Sequence, residues 1–288
     1  MLAVYKKELK GFFNGMMGYV FCAFLLVVAG VLTMDYCLGP EPTNTFEYIY
    51  GNMPIVYIII IPILAMNTIA GEMRNKTDQM LYTSPVSITK IVMGKYLAMC
   101  TVLLIPLAIT AIYPFILTTY GNIAIWTCLA SMFSFFLLGC SLIAVCMFVS
   151  SLTESQILSA VISFGVLFLL YTASSLQYYI GRTELSSAAF FCAVAAIFGF
   201  VVRKVTRSIG TGIGFAAILI AGVAFMYFKM PETLCDAATK LVGIFAAFTK
   251  IENFIGGIFD LNIIVYYLSI ILFFNYLCVQ SIDKRRWS

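Results

Sequence analysis

The sequence contains no histidine, and only 10% of its 288 residues are charged. Histidine is the commonest general base and a frequent zinc ligand, so its absence argues against familiar catalytic and zinc-binding arrangements. Nine cysteines are scattered without a Cys-x-x-Cys pair, which favours buried hydrophobic side chains over metal ligands. Neither a Gly-x-Ser-x-Gly turn nor a Gly-x-x-x-x-Gly-Lys phosphate-binding loop is present. We therefore predict a chain that is not an enzyme, holds no cofactor and cannot hydrolyse ATP by itself.

Hydrophobic residues make up 62% of the chain, whereas soluble domains contain roughly 45–50% apolar and about 25% charged residues. Such a composition is typical of a protein that turns most of its surface toward lipid. The net charge of +4 does not indicate a nucleic-acid partner, because the longest basic run, Lys284 to Arg286, adjoins a hydrophobic segment. The composition therefore predicts an all-α, polytopic bundle of transmembrane helices in the cell membrane.

Runs of about 20 mainly apolar residues are long enough to cross a bilayer as helices. Eight segments fit that template, and they are residues 17–34, 53–71, 92–118, 123–149, 157–177, 186–202, 211–229 and 262–281. The segment 186–202 is the shortest, and a pair 186–202 and 211–229 that does not fully cross would leave six spans. We predict a single membrane domain over 1–288, with an amphipathic segment at 230–261 that lies at the outer interface.

Lysine and arginine are enriched in cytoplasmic loops, so their distribution predicts the orientation. With the N-terminus inside, 13 of the 17 basic residues fall on the cytoplasmic side and 4 outside. Lys95 is counted among the 13. Both termini are therefore predicted to be cytoplasmic.

A charged stretch, residues 71–90, follows the second predicted span on that side. Glu72, Lys76 and Gln79 share one face of a short helix, and Ser84-Pro85 ends it because proline disfavours helical geometry in the preceding residue. The physical pattern suits two interpretations equally well: a helix that docks a soluble partner, or a solvated loop that only joins two spans.

A family resemblance bears on that choice. The residues that carry it are Glu72-x-Arg74-x-x-Thr77-x-x-x-Leu81-x-x-Ser84-Pro85-Val86-Ser87, Gly94-Lys95-Tyr96, the N-terminal Tyr5-Lys6-Lys7-Glu8-Leu9-Lys10, and Ser150-Ser151-Leu152-Thr153-Glu154-Ser155-Gln156. Together they resemble type-2 ABC transporter permeases, in particular the gliding-motility-type subfamily. Lys76 replaces the glycine that the family has before the threonine. The resemblance covers residues 1–177 and 250–288, and residues 178–249 lie outside the common six-span pattern.

The resemblance implies a permease that couples ATP hydrolysis by a separate subunit to export of a substrate or to force transmission. Residues 1–15 would form an interfacial elbow helix and 71–90 the coupling helix region. The implied partners are a cytoplasmic ATP-binding subunit that holds ATP and Mg, a second permease chain (identical or a paralogue), an extracellular accessory protein and membrane lipid. The implied ATPase-coupling residues are Glu72, Arg74, Thr77, Leu81, Ser84, Pro85, Ser151 and Glu154.

Three other classes are weighed against this one. Secondary transporters usually keep an ionisable residue near the middle of the membrane, and we expect none there. An intramembrane enzyme lacks a plausible set of catalytic groups, and the alternatives kept are a secondary transporter and a membrane scaffold without transport. The polar residues Asn67, Thr68, Ser131 and Ser134 are expected to form hydrogen bonds between helices rather than a binding site.

Overall fold

The computed structural model describes residues 1–39, 45–77, 86–119, 123–180, 187, 188, 190–192, 227 and 231–287. Within these ranges every regular element is an α-helix, which confirms the predicted all-helical bundle. In chain order the helices are α1 (Leu2–Asn14), α2 (Met17–Leu38), α3 (Glu47–Asn52), α4 (Pro54–Met66), α5 (Ala70–Arg74), α6 (Ile88–Thr110), α7 (Tyr113–Leu117), α8 (Ile125–Leu152), α9 (Gln156–Ile180), α10 (Pro231–Phe245), α11 (Ile251–Ile255) and α12 (Leu261–Trp287).

Six stretches of the described residues are long and apolar enough to cross a membrane. They are Met17–Leu38, Pro54–Arg74, Ile88–Leu117, Ile125–Leu152, Gln156–Leu176 and Leu261–Arg285. Each overlaps one of the spans predicted from hydropathy. The other two predicted spans, 186–202 and 211–229, fall almost entirely outside the described residues.

Residues 1–168 together with 250–288 form one compact unit, and α8 is its central helix. The helices α4, α6 and α12 all pack against α8. Gly139 of α8 allows this close approach, because an added Cβ would lie 2.5 Å from Leu103 and 3.0 Å from Tyr57. Tyr57 stacks on Phe135 with ring centroids 4.3 Å apart and donates a hydrogen bond to the Phe135 carbonyl. A bulkier residue at position 139 would therefore separate three helices.

The N-terminal helix α1 is amphipathic and lies along α6. Its lysines are exposed, whereas Phe12 is buried. Gly94 of α6 makes room for α1, because a Cβ there would lie 3.2 Å from Val4. A backbone break at Met16, with a φ of 60°, then turns the chain into α2. The chain thus changes direction sharply between an amphipathic helix and a membrane-spanning helix.

Residues 169–249 form a second compact unit, in which α10 buries Ala238 and Val242 against Ala173, Phe190 and Phe191. The amphipathic pattern predicted for 230–261 takes the form of two helices, α10 and α11. Its depth in the bilayer stays a prediction.

The four polar residues expected to bond between helices behave differently from one another. Asn67 donates to the sulfur of Met17, and Ser131 donates to the carbonyl of Phe254, so both link separate elements. Thr68, in the turn between α4 and α5, donates to the carbonyl of Ala65 three residues earlier, and Ser134 has no hydrogen-bond partner among the described residues.

Candidate functional site

Charged and polar side chains gather where α1, α5 and the start of α6 meet the end of α8, the start of α9 and the end of α12. We call this region the polar end. The side chains that define it are Lys7, Glu8, Glu72, Arg74, Lys95, Glu154, Gln156 and Arg285.

The centre of the polar end is Lys95, whose side chain is only 2% exposed. Its ammonium lies 2.9 Å from Oε1 of Glu8, 2.9 Å from Oε1 of Glu72 and 2.9 Å from the carbonyl oxygen of Thr68. The ammonium donates hydrogen bonds to Glu8 and to the Thr68 carbonyl, and it forms an ion pair with Glu72. The cluster joins α1, the α4–α5 connection and α6 at one buried point.

Burying a lysine without partners costs several kcal/mol, so the two carboxylates are needed to keep the Lys95 charge inside the bundle. Lys7 lies 3.4 Å from Oε1 of Glu72, and it is 63% exposed. The cluster therefore contains two positive and two negative groups. Because the charges cancel, the cluster links the helices without adding net charge.

Beyond Glu72, α5 ends in a Schellman motif. The amide of Thr77 donates to the Glu72 carbonyl at 3.0 Å, and the amide of Lys76 donates to the Met73 carbonyl at 3.1 Å. Lys76 occupies the left-handed position of this motif, with a φ of 55°. Glycine is the residue most often found there, because it has no Cβ to clash. The type-2 permease pattern that the sequence resembles has glycine at this position. The left-handed backbone explains why glycine suits it.

A second group of contacts joins α5 to the turn between α8 and α9. Arg74 donates to Oε1 of Gln156 at 3.3 Å, and the amide of Ala70 donates to the hydroxyl of Ser150 at 3.0 Å. The two segments that the sequence singled out, after the second and the fourth span, are therefore neighbours in space.

Arg285 of α12 binds the same turn. It donates to the carbonyl of Leu152 at 3.0 Å and lies 3.5 Å from a carboxylate oxygen of Glu154. It also reaches the sulfur of Met73 at 2.8 Å. Leu152 is the last residue of α8, so the guanidinium satisfies a carbonyl at a helix C-terminus, where a positive charge is favourable.

The structure describes five of the eight residues predicted to couple to an ATPase. Glu72 points toward Lys95 and Lys7, whereas Arg74 is exposed beside Gln156. The hydroxyl of Thr77 donates to the carbonyl of Glu72. Ser151 is buried, and Glu154 is 80% exposed. The remaining three, Leu81, Ser84 and Pro85, lie outside the described residues.

Sequence reasoning missed the roles of Lys95, Glu8 and Arg285. It counted Lys95 only among the basic residues of the cytoplasmic side, whereas the structure places Lys95 in the first third of α6, where it is buried. The signal was available, since Lys95 falls inside the predicted span 92–118 and a charge within a span requires a partner. The identity of the partners could not be read, because Glu8 is 87 residues away.

The six stretches of the described residues that are long and apolar enough to cross a bilayer indicate a multi-pass, α-helical membrane protein. Residues 2–280 match the family described as ABC-2 family transporter protein. The chain therefore belongs to the ABC-2 transporter family, and it is a transmembrane permease of the ABC transporter class. No curated protein matches the chain.

Proposed function

We propose that this permease is coupled to a separate ATP-binding subunit, which docks at the polar end and drives export of a substrate or transmission of force. The observation that carries the proposal is the hydrogen bond between Arg74 and Gln156. It brings the segment after the second span and the turn before the fifth into one surface. A soluble subunit can engage one continuous surface more readily than two separate loops.

In this proposal the two charges of α5 have different roles. Glu72 is 16% exposed and holds the buried ammonium of Lys95, so it anchors α5 to the bundle. Arg74, Lys76 and Glu154 are exposed and carry the charges that a partner could contact. The position of Glu72 supports a rigid attachment, through which motion of a docked subunit would reach α1 and α6.

The complete transporter would contain two permease chains, because one chain of this kind forms only half of a pathway. We favour a homodimer over a pair of paralogues. ATP and Mg would be bound by the partner subunit, and an extracellular accessory protein is a further partner. The same proposal includes four further points. They are the motif likeness to the gliding-motility-type subfamily, the eight spans, the cytoplasmic termini and the cell-membrane location.

The test is co-purification of the full-length chain with co-expressed ATP-binding subunits from the same genome. Replacing the exposed charges, Arg74→Ala with Glu154→Ala, should weaken association. Hydrogen bonds to charged groups at a desolvated interface contribute about 1.5–3 kcal/mol each, so two lost contacts correspond to an effect on the order of a hundredfold. ATPase stimulation provides a second readout.

The matched control changes two exposed carboxylates at the opposite end of the bundle, Asp35→Ala with Glu252→Ala. It should leave association unchanged. Equal association of the Arg74/Glu154 variant and the control would reject docking at the polar end, provided that both variants keep the wild-type melting temperature.

A further inference from the structure

An apolar groove runs between the first two turns of α2 and the last two turns of α4. Its floor consists of the buried side chains of Phe21, Ile60 and Leu64. Its walls include Val20 of α2, which is 67% exposed, and Ile59 of α4, which is 52% exposed. The groove has a volume of about 340 Å³, within the range of roughly 300–1,000 Å³ that is typical of ligand pockets.

A smaller pocket of about 250 Å³ lies beside the groove, between α1 and the α4–α5 connection. Glu8, Asn67 and Thr68 contribute its polar lining. Gly15 and Met17 line both spaces, so the groove and the pocket adjoin each other at the break between α1 and α2. Together they form an amphipathic site, apolar along the spanning helices and polar at the level where those helices end.

The polar pocket is rich in hydrogen-bond acceptors. Lys95 and Lys7 both approach Oε1 of Glu8, and Oε2 of Glu8 makes no ion pair or hydrogen bond with any described residue. Asn67 donates only to the thioether of Met17, and its carbonyl oxygen has no partner in the described part of the chain. A thioether is a weak acceptor, so the amide can bind a better partner at little cost.

We propose that this site holds one phospholipid with a primary ammonium headgroup, as in phosphatidylethanolamine. One acyl chain lies in the groove between α2 and α4, and the ammonium donates to Glu8 and Asn67. The groove extends from Met16 to Phe24, about 12 Å along α2, and the hydrocarbon of one leaflet is about 15 Å thick. The length and polarity of the site therefore match a lipid that stands upright in one leaflet.

The headgroup chemistry follows from the acceptors. A primary ammonium has three N–H donors, whereas the quaternary ammonium of phosphatidylcholine has none. An anionic headgroup fits less well, because the exposed lysines of α1 do not line the pocket and the Glu8 carboxylate does. The bound lipid would fill the space beside the Glu8–Lys95 cluster and so support the position of α1.

The experiment is native mass spectrometry of the full-length chain in mild detergent, with equal amounts of phosphatidylethanolamine, phosphatidylcholine and phosphatidylglycerol that carry identical acyl chains. The wild-type chain should retain phosphatidylethanolamine about tenfold better than phosphatidylcholine, the ratio that corresponds to one charge-assisted hydrogen bond. Filling the groove by Val20→Trp with Ile59→Trp should abolish retention. Asn67→Leu should reduce the ratio of retained phosphatidylethanolamine to retained phosphatidylcholine toward 1.

Val27→Trp is the matched control, because Val27 is exposed on α2 beyond the groove. It should retain phosphatidylethanolamine as the wild type does. Equal retention of the two zwitterionic lipids by the wild type, or a preference for phosphatidylglycerol, would overturn the headgroup assignment. If the Val20→Trp, Ile59→Trp variant retains phosphatidylethanolamine as well as Val27→Trp does, the proposed site is wrong. The site is also wrong if that variant binds as much lipid as the wild type but no longer forms a permease dimer.

Discussion

The ammonium of Lys95 lies 2.9 Å from a carboxylate oxygen of Glu72, and this ion pair connects the short helix after the second span to a buried position on α6. The same ammonium holds Glu8 of α1 at 2.9 Å. Three separate elements are thus fixed at one point by a single positive charge. An isolated charge at that position would be strongly unfavourable, so the pairing is required by the burial itself.

Removing the charge of Lys95 should destabilise the bundle. Lys95→Met keeps the length of the side chain but leaves two carboxylates facing each other, with an expected loss of about 3–5 kcal/mol. The triple variant with Glu8→Gln and Glu72→Gln should recover most of that loss, because it removes the whole set of charges. Thermal unfolding in detergent measures both effects. The exposed Lys90 on the same helix gives the control, and Lys90→Met should change little. Equal melting temperatures for Lys95→Met and Lys90→Met would contradict the buried cluster.

Glycine should be more favourable than lysine at position 76. A non-glycine residue in the left-handed region costs about 1–2 kcal/mol, and Lys76 has a φ of 55°. Lys76→Gly should therefore raise the free energy of unfolding by up to about 1 kcal/mol, after the higher entropy of glycine in the unfolded chain is subtracted. Asn75→Gly, one residue earlier at a negative φ, should not stabilise. A clear loss of stability in Lys76→Gly would argue against the Schellman motif.

Arg285 should order the turn between α8 and α9. Arg285→Ala removes contacts to the Leu152 carbonyl and the Glu154 carboxylate, and hydrogen exchange in residues 152–156 should accelerate about tenfold. Lys284→Ala tests the general effect of losing a positive charge there, since Lys284 is exposed. Identical exchange in the two variants would show that Arg285 does not hold the turn.

The orientation can be measured with single cysteines on a cysteine-free background. Asn75 lies at the polar end and Thr119 at the opposite end, and both are exposed. From the 13-to-4 distribution of basic residues, Thr119→Cys should react with a membrane-impermeant thiol reagent in intact cells. Asn75→Cys should react only after permeabilisation. The reverse pattern would invert the proposed topology.

The six described spans could be predicted from sequence because hydropathy is a local property that each segment carries by itself. The segment 71–90 was singled out through motif likeness, and the ion pairs that Glu72 makes with Lys7 and Lys95 were not predicted. Glu72 reads as a partner-binding charge in the sequence, since its ion-pair partner Lys95 lies 23 residues further on, in another helix. Arg285 could not be assigned for the same reason, because Leu152 is 133 residues away. Pairings between distant helices depend on packing, which no local pattern encodes.

The most direct test of the proposed function is photo-crosslinking from defined positions to a co-expressed ATP-binding subunit. A photoreactive residue at Asn75 and one at Ser155 both sample the polar end without replacing a side chain that the cluster uses. Thr119, at the opposite end, is the matched position. The account predicts crosslinks to the ATP-binding subunit from positions 75 and 155 and none from position 119. Crosslinks from none of the three positions, or from position 119 alone, in a complex that hydrolyses ATP would contradict it.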